Sequence, residues 1–179
     1  MKKVLIALAA FAMGTAVAHA DSAFDGIYAG AEGGYGSVKV DGAGHDSAFS
    51  GSAFAGYGTT FGKIYLGGEG EVGINGAENS VGGVTVKQKV NYGAKAKLGY
   101  LATPKALVYG LAGWEHAEFD VSGSGSEGTD GVKFGFGAET FVQKNLSVRS
   151  EVTYTDWKDK GSLPGGNEVR TTLGLAVHF

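Results

Sequence analysis

The sequence predicts an all-β fold: an eight-stranded antiparallel up-and-down transmembrane β-barrel built from residues 21–179. Three observations predict it. Apolar residues recur at every second position through most of the chain, while a helical period is hard to find. The alternating stretches exceed the usual strand of about five or six residues and meet the roughly 9–11 that a tilted strand needs to cross a bilayer. Connections alternate between short turns and long polar loops, the layout of a barrel that meets different solvents at its two ends.

Residues 1–20 are set apart from the fold. "MKKVLIALAAFAMGTAVAHA" opens with Lys2 and Lys3, continues apolar from Val4 to about Met13, and closes on Ala18-His19-Ala20. This is the pattern of a cleaved export signal, and its apolar run is too short to span a bilayer as a helix. The expected mature chain starts at Asp21. Of the 15 basic and 18 acidic residues, removal of Lys2 and Lys3 leaves 13 against 18, a net charge of −5. A mildly acidic chain argues against nucleic acid as a partner. With no cysteine in the sequence, disulfides and thiolate metal sites are excluded. The 33 glycines against two prolines show no collagen period and lie inside apolar segments. Glycine there points to tight bends and close backbone approach in a curved sheet.

Each expected strand has its own two-faced pattern. The first, Gly26–Val38, sets Glu32 opposite Ala29 and Ala31. The second is Phe49–Thr59. The third, Lys63–Ile74, places Ile64, Leu66 and Val72 on one face and Tyr65, Glu69 and Glu71 on the other. In the fourth, Lys87–Tyr100, Tyr92, Ala94, Ala96, Leu98 and Tyr100 oppose Lys89, Asn91, Lys95 and Lys97. The fifth, Ala106–Phe119, leaves a polar residue on its apolar face in either register, Glu115 or His116. A bulge there, or an exit from the membrane before Glu115, would reconcile it. The sixth, Gly131–Val142, sets Val132, Phe134, Phe136 and Ala138 against Lys133 and Glu139. The seventh, Leu146–Trp157, sets Val148, Val152 and Tyr154 against Arg149, Glu151 and Thr153. The eighth, Glu168–Phe179, sets Val169, Leu173, Leu175, Val177 and Phe179 against Arg170 and Thr172.

The apolar faces are nearly free of charge and begin or end in aromatics: Tyr35, Tyr57, Tyr92, Tyr100, Phe134, Tyr154 and Phe179. Such residues suit the two interfacial girdles of a membrane barrel. The polar faces are rich in glycine, with few long side chains except charges. Glu32, Glu69, Glu71, Glu139 and Glu151 balance Lys95, Lys97, Lys133, Arg149 and Arg170, which predicts an ion-pair network filling a narrow lumen.

The opening "FDGIYAGAEGGYG", the "YGAKAKLGY" of the fourth strand, "NLSVRSEVTYTDW" of the seventh and the terminal "VRTTLGLAVHF" resemble the small eight-stranded outer-membrane barrels of Gram-negative bacteria, in particular the opacity-type and related surface-antigen proteins. The resemblance implies an outer-membrane location after export through the periplasm, with short turns in the periplasm and four long loops outside. It implies a non-enzymatic surface antigen, adhesin or envelope-stabilising protein. The implied partners are outer-membrane lipid and lipopolysaccharide, the insertion machinery during assembly, and a host-cell or surface ligand met by the loops. A terminal Phe179 on the alternating row Leu173, Leu175, Val177 resembles the signal that the insertion machinery reads.

No catalytic residue, cofactor or metal site is expected. "His45-Asp46-Ser47" holds the residue types of a triad, but neighbouring side chains on a chain point apart. "GSGSEG" at Gly123–Gly128 matches a dinucleotide motif without a following helix. The loop acids lack Ca-loop spacing. Two alternatives stand beside the main reading: a narrow pore or haem-type binder using His45, His116 or the lumen, and a soluble periplasmic barrel with an interior ligand. A lipid A-modifying enzyme is a third, but no His-x-Ser pairing on a strand supports it.

Overall fold

The computed structural model describes residues 22–40, 45–75, 78–81, 84–121, 125–158 and 166–179. The expected export signal over residues 1–20 lies outside these. The described residues form nine strands and no helix: β1 (Gly26–Val40), β2 (His45–Phe61), β3 (Ile64–Asn75), β4 (Glu78–Val81), β5 (Val84–Thr103), β6 (Ala106–Val121), β7 (Gly125–Phe141), β8 (Leu146–Trp157) and β9 (Gly166–His178). The sheet runs β3-β2-β1-β9-β8-β7-β6-β5-β4, and β3 also pairs with β5. That pairing closes the ring, so eight strands form the wall. The ninth, β4, is a short antiparallel partner of β5 at Val84–Lys87 (Val81 opposite Val84), beyond the end of β3. Closure leaves no edge inside the wall, which a structure in lipid requires.

First and last strands make the seam. β1 and β9 pair from Tyr28↔His178 to Val40↔Gly166, and the Phe179 amide donates to the Ile27 carbonyl at 2.9 Å. The chain is therefore ordered to its last residue by backbone pairing. The short turns lie at one end of the barrel, after β2, β5 and β7. In the first of them Gly62 has φ +65°, a left-handed conformation that glycine adopts without steric cost.

The strands run further than hydrophobic alternation indicates, mostly at the long-loop end. β2 starts at His45 rather than Phe49, β5 at Val84 rather than Lys87, and β7 at Gly125 rather than Gly131. Alternation marks where a wall separates two environments. Backbone pairing needs no such contrast, so the hairpins continue as polar Gly-, Ser- and Asp-bearing ribbons past that wall. Part of each expected long loop is thus strand. The β5–β6 ladder shifts register between Gln88 and Val90 and between Leu101 and Thr103, but is unbroken around Glu115. No bulge occurs at that residue.

The two faces separate cleanly. Ile64, Leu66, Val72, Leu98, Phe136, Leu173, Leu175 and Phe179 are exposed on the outside, whereas Glu69, Lys95, Lys97, Lys133, Arg149, Glu151 and Arg170 are buried inside. All seven aromatics at the expected girdle positions are on the exposed face. This arrangement inverts that of a water-soluble barrel: the large apolar side chains face out and the charges face in.

Candidate functional site

The lumen changes character along the axis. At the short-turn end it is apolar. Phe24 lies just before β1, where the segment turns under the barrel. The Asp25 amide donates to the Ser22 carbonyl at 3.1 Å, and the Thr60 hydroxyl donates to the Asp25 carboxylate at 3.0 Å. Phe24 inserts among Tyr65, Leu101, Leu107, Tyr109 and Leu111, with Phe141 at its edge in a T-shaped contact of 4.8 Å. Next to this cluster the Ser147 hydroxyl donates to Glu139 at 2.6 Å, and His178 Nε2 lies 2.9 Å from the same carboxylate oxygen.

Further in, the lumen is ionic. Arg149 on β8 is the hub. Its Nη1 and Nη2 fork onto both oxygens of Glu69 at 2.7 and 3.1 Å, and its Nε donates to Glu32 at 3.0 Å. Bidentate guanidinium–carboxylate geometry is the strongest form of such pairing. The same guanidinium lies 3.3 Å from the centre of the Phe54 ring. Lys97 donates to Glu69 at 2.7 Å and sits 4.7 Å from the Tyr109 ring centre, while the Tyr109 hydroxyl donates to Glu151 at 2.7 Å. Lys95 joins Glu151 at 2.6 Å, Glu69 at 3.1 Å and Glu71 at 3.2 Å. Lys133 bridges Glu71 and Glu115, the latter at 2.7 Å. Toward the long-loop end, Arg170 pairs with Glu168 at 2.8 Å and reaches Glu115 at 3.4 Å; the Asn91 amide donates to Glu115 at 2.5 Å.

Of the ten charges read from the polar faces, the structure joins nine (Glu32, Glu69, Glu71, Lys95, Lys97, Lys133, Arg149, Glu151, Arg170) in one connected set of ion pairs. Glu139 stands apart with Ser147 and His178. Among the described residues the five-against-five balance does not hold. Among the described residues Glu115 and Glu168 are also buried inside, which makes seven acids against five permanent bases there, with His178 beside Glu139. Glu168, the first residue of the expected eighth strand, shares the parity of Arg170 and Thr172, so the alternation itself places it inside. Glu115 could not be found this way, because both registers of its strand carry a polar residue on each side.

The expectation of few long uncharged side chains inside also fails. Tyr28, Phe54, Tyr65 and Tyr109 all point into the lumen. Their counterparts are inward glycines. A Cβ on Gly56 would lie 2.5 Å from the Tyr28 hydroxyl, one on Gly67 2.5 Å from that of Tyr65, and one on Gly137 2.8 Å from the Tyr109 ring. Glycine richness thus reflects small-against-large packing within a narrow barrel as well as curvature.

Ser147 and Glu139 both approach His178 Nε2, at 3.1 and 2.9 Å, while the buried Nδ1 lacks a partner among the described residues. A nucleophile–base–orienter relay needs opposite ring nitrogens, so this cluster is not a triad. His45-Asp46-Ser47 lies in β2, where successive positions alternate faces; the side chains of His45 and Asp46 are outside the described residues. Gly125–Gly128 of the glycine motif is strand, paired with Glu118–Val121, and cannot form a phosphate loop ahead of a helix. His116 points outward near the long-loop end. It pairs with Asp130 at 2.8 Å and packs near Tyr92 and Trp114 at ring separations of 5.1 and 6.1 Å. This settles the register of the fifth expected strand: Glu115 is inside and His116 outside.

Comparison with known proteins agrees with this architecture. The chain is 33% identical over 166 residues to the 22 kDa outer membrane protein of Rhizobium leguminosarum bv. viciae, covering 87% of this chain and 78% of that protein. It is 29% identical over 142 residues to the 25 kDa outer-membrane immunogenic protein of Brucella canis, covering 77% of this chain and 63% of that one. The fold matches Neisserial surface protein A with a TM-score of 0.66 at 18% identity, covering 87% of this chain and 98% of that one. It matches Ail, the attachment invasion locus protein of Yersinia pestis, with a TM-score of 0.60 at 20% identity, covering 87% and 99%. Residues 6–179 match the family model described as the outer membrane protein beta-barrel domain. With its closed eight-stranded wall, apolar exterior and ionic lumen, this chain belongs to the outer membrane protein beta-barrel family and is a bacterial outer-membrane protein.

Proposed function

We propose that the protein is a non-enzymatic surface platform, an antigen and adhesion surface whose barrel holds its long hairpins outside the cell. The observation that carries this reading is the filled lumen. An apolar cluster occupies one end and an ion-paired core lies beyond it among the described residues, which is what eight strands leave room for. A through-going pore or an interior ligand would need that space. The short turns face the periplasm, and the hairpins β1–β2, β4–β5, β6–β7 and β8–β9 present the outer surface, where a host-cell or other surface ligand and the sugars of lipopolysaccharide are met. The Brucella relatives are named immunogenic proteins, and Ail is named an attachment invasion locus protein; both names favour the same role here.

Excision of the four long connections one at a time, with cell binding and antibody labelling of intact cells as readouts, tests this. At least one excision should remove binding or labelling while outer-membrane levels stay normal. Full binding and labelling after all four excisions, or discrete single-channel conductance of the intact protein in planar bilayers, would overturn the proposal.

We also propose that Leu173, Leu175, Val177 and Phe179 form the assembly signal read by the insertion machinery. Phe179 is exposed and contributes one backbone bond to the seam, worth about 0.5–1.5 kcal/mol. Deleting it should lower outer-membrane levels far more than it lowers the stability of the refolded barrel. Wild-type levels of the truncated protein in cells would refute the role.

A further inference from the structure

The outer wall is not uniformly ridged. Across β3, β5, β6, β7 and β8 the large apolar side chains part around a groove of about 760 Å³, within the roughly 300–1,000 Å³ typical of ligand sites. Gly110, Ala138 and Ser150 make its floor, and Leu98, Tyr100 and Phe136 stand around it. The register makes these neighbours: Gly110 lies between Leu98 and Phe136, and Ala138 pairs with Ser150. The groove lies in the half of the wall nearest the short turns, since Tyr100 pairs with Ile64, the first residue of β3.

Exposed lysines stand in the short turns at that end. Lys63, in the turn before β3, holds its Nζ 5.7 Å from the centre of the Tyr100 ring. Lys105, in the turn before β6, is also exposed. Lipid tails are as apolar as the groove, so burial alone selects nothing there. Selectivity has to come from shape, over Gly110 and Ala138, and from the lysines of the short turns below the groove.

We propose that this groove binds a single anionic phospholipid of the periplasmic leaflet, with an acyl chain along Gly110, Ala138 and Ser150 and the phosphate at Lys63 and Lys105. The site does not depend on what the outer hairpins bind.

Native mass spectrometry of the full-length mature barrel in detergent tests the proposal, with phosphatidylglycerol and phosphatidylcholine of identical acyl chains as probes. Wild type should retain one phosphatidylglycerol per barrel with about tenfold preference over phosphatidylcholine, the scale set by one or two basic residues at a membrane surface. Lys63→Ala with Lys105→Ala should abolish the preference. Ala138→Phe should abolish retention, with the mobility of unheated protein in SDS gels reporting a folded barrel; Ser150→Leu serves the same purpose if the first variant does not fold. Equal retention of both lipids by wild type, or unchanged retention in the filled-groove variants, would overturn the proposal. A dimer of barrels that Ala138→Phe dissociates, or stronger retention of lipopolysaccharide than of phospholipid, would equally overturn it.

Discussion

Arg149→Ala should be among the most damaging single substitutions in the barrel, and the contacts say why. Arg149 is 1% exposed and serves Glu32 and Glu69 at once. Glu69 keeps Lys95 at 3.1 Å and Lys97 at 2.7 Å after the truncation. Glu32 does not fare as well: its remaining donor among the described residues is the Ser52 hydroxyl at 3.2 Å. The variant also removes a base from the described lumen charges, where acids already outnumber bases, and uncovers the Phe54 ring. Removing one member of a buried pair typically costs about 3–5 kcal/mol, because the other charge stays buried without compensation. Urea titration of the barrel folded in lipid vesicles measures the loss, with gel mobility and tryptophan fluorescence as probes and the slope held constant between variants. Arg149→Met with Glu32→Gln should recover most of it, since replacing both members of such a pair is often close to neutral. A loss below about 1 kcal/mol for Arg149→Ala, the scale of an exposed ion pair, would refute the reasoning. So would a double variant no more stable than the single one.

Two further outcomes test the packing and the orientation of the wall. Gly56→Ala should destabilise by about 1–3 kcal/mol, because the added Cβ meets the Gly68 carbonyl at 2.6 Å as well as the Tyr28 hydroxyl. Gly68→Ala, with nothing within 4 Å of its Cβ, should stay within about 0.5 kcal/mol; equal effects in the same urea titration would show that lumen packing does not discriminate them. Leu173→Lys on the exposed face should cost about 2–4 kcal/mol in vesicles if it lies near the bilayer midplane, less toward an interface. A variant as stable as wild type, recovered in the soluble periplasmic fraction without detergent, would remove the lipid-facing assignment.

The sequence by itself determined the class of fold, the sidedness of every wall strand but β6 and, with a barrel, the closure of the last strand on the first. Parity does this, because a strand sends alternate side chains to opposite faces whatever its neighbours are. Tyr35, Leu98 and Phe179 are therefore readable as outward, and Glu69, Lys95 and Arg149 as inward, from local pattern alone. Tertiary structure decided what parity cannot carry. The β6 register was ambiguous until Asp130 on β7 gave His116 an outward partner. Arg149 meets Glu32 and Glu69 from 117 and 80 residues away, an encounter set by the tilt and stagger of the strands. The ion-pair partners, the aromatic rings in the lumen with their facing glycines, and the groove over Gly110 and Ala138 each depend on side chains from several strands meeting at one height. Such heights are a property of the closed barrel, fixed only when the strands pair.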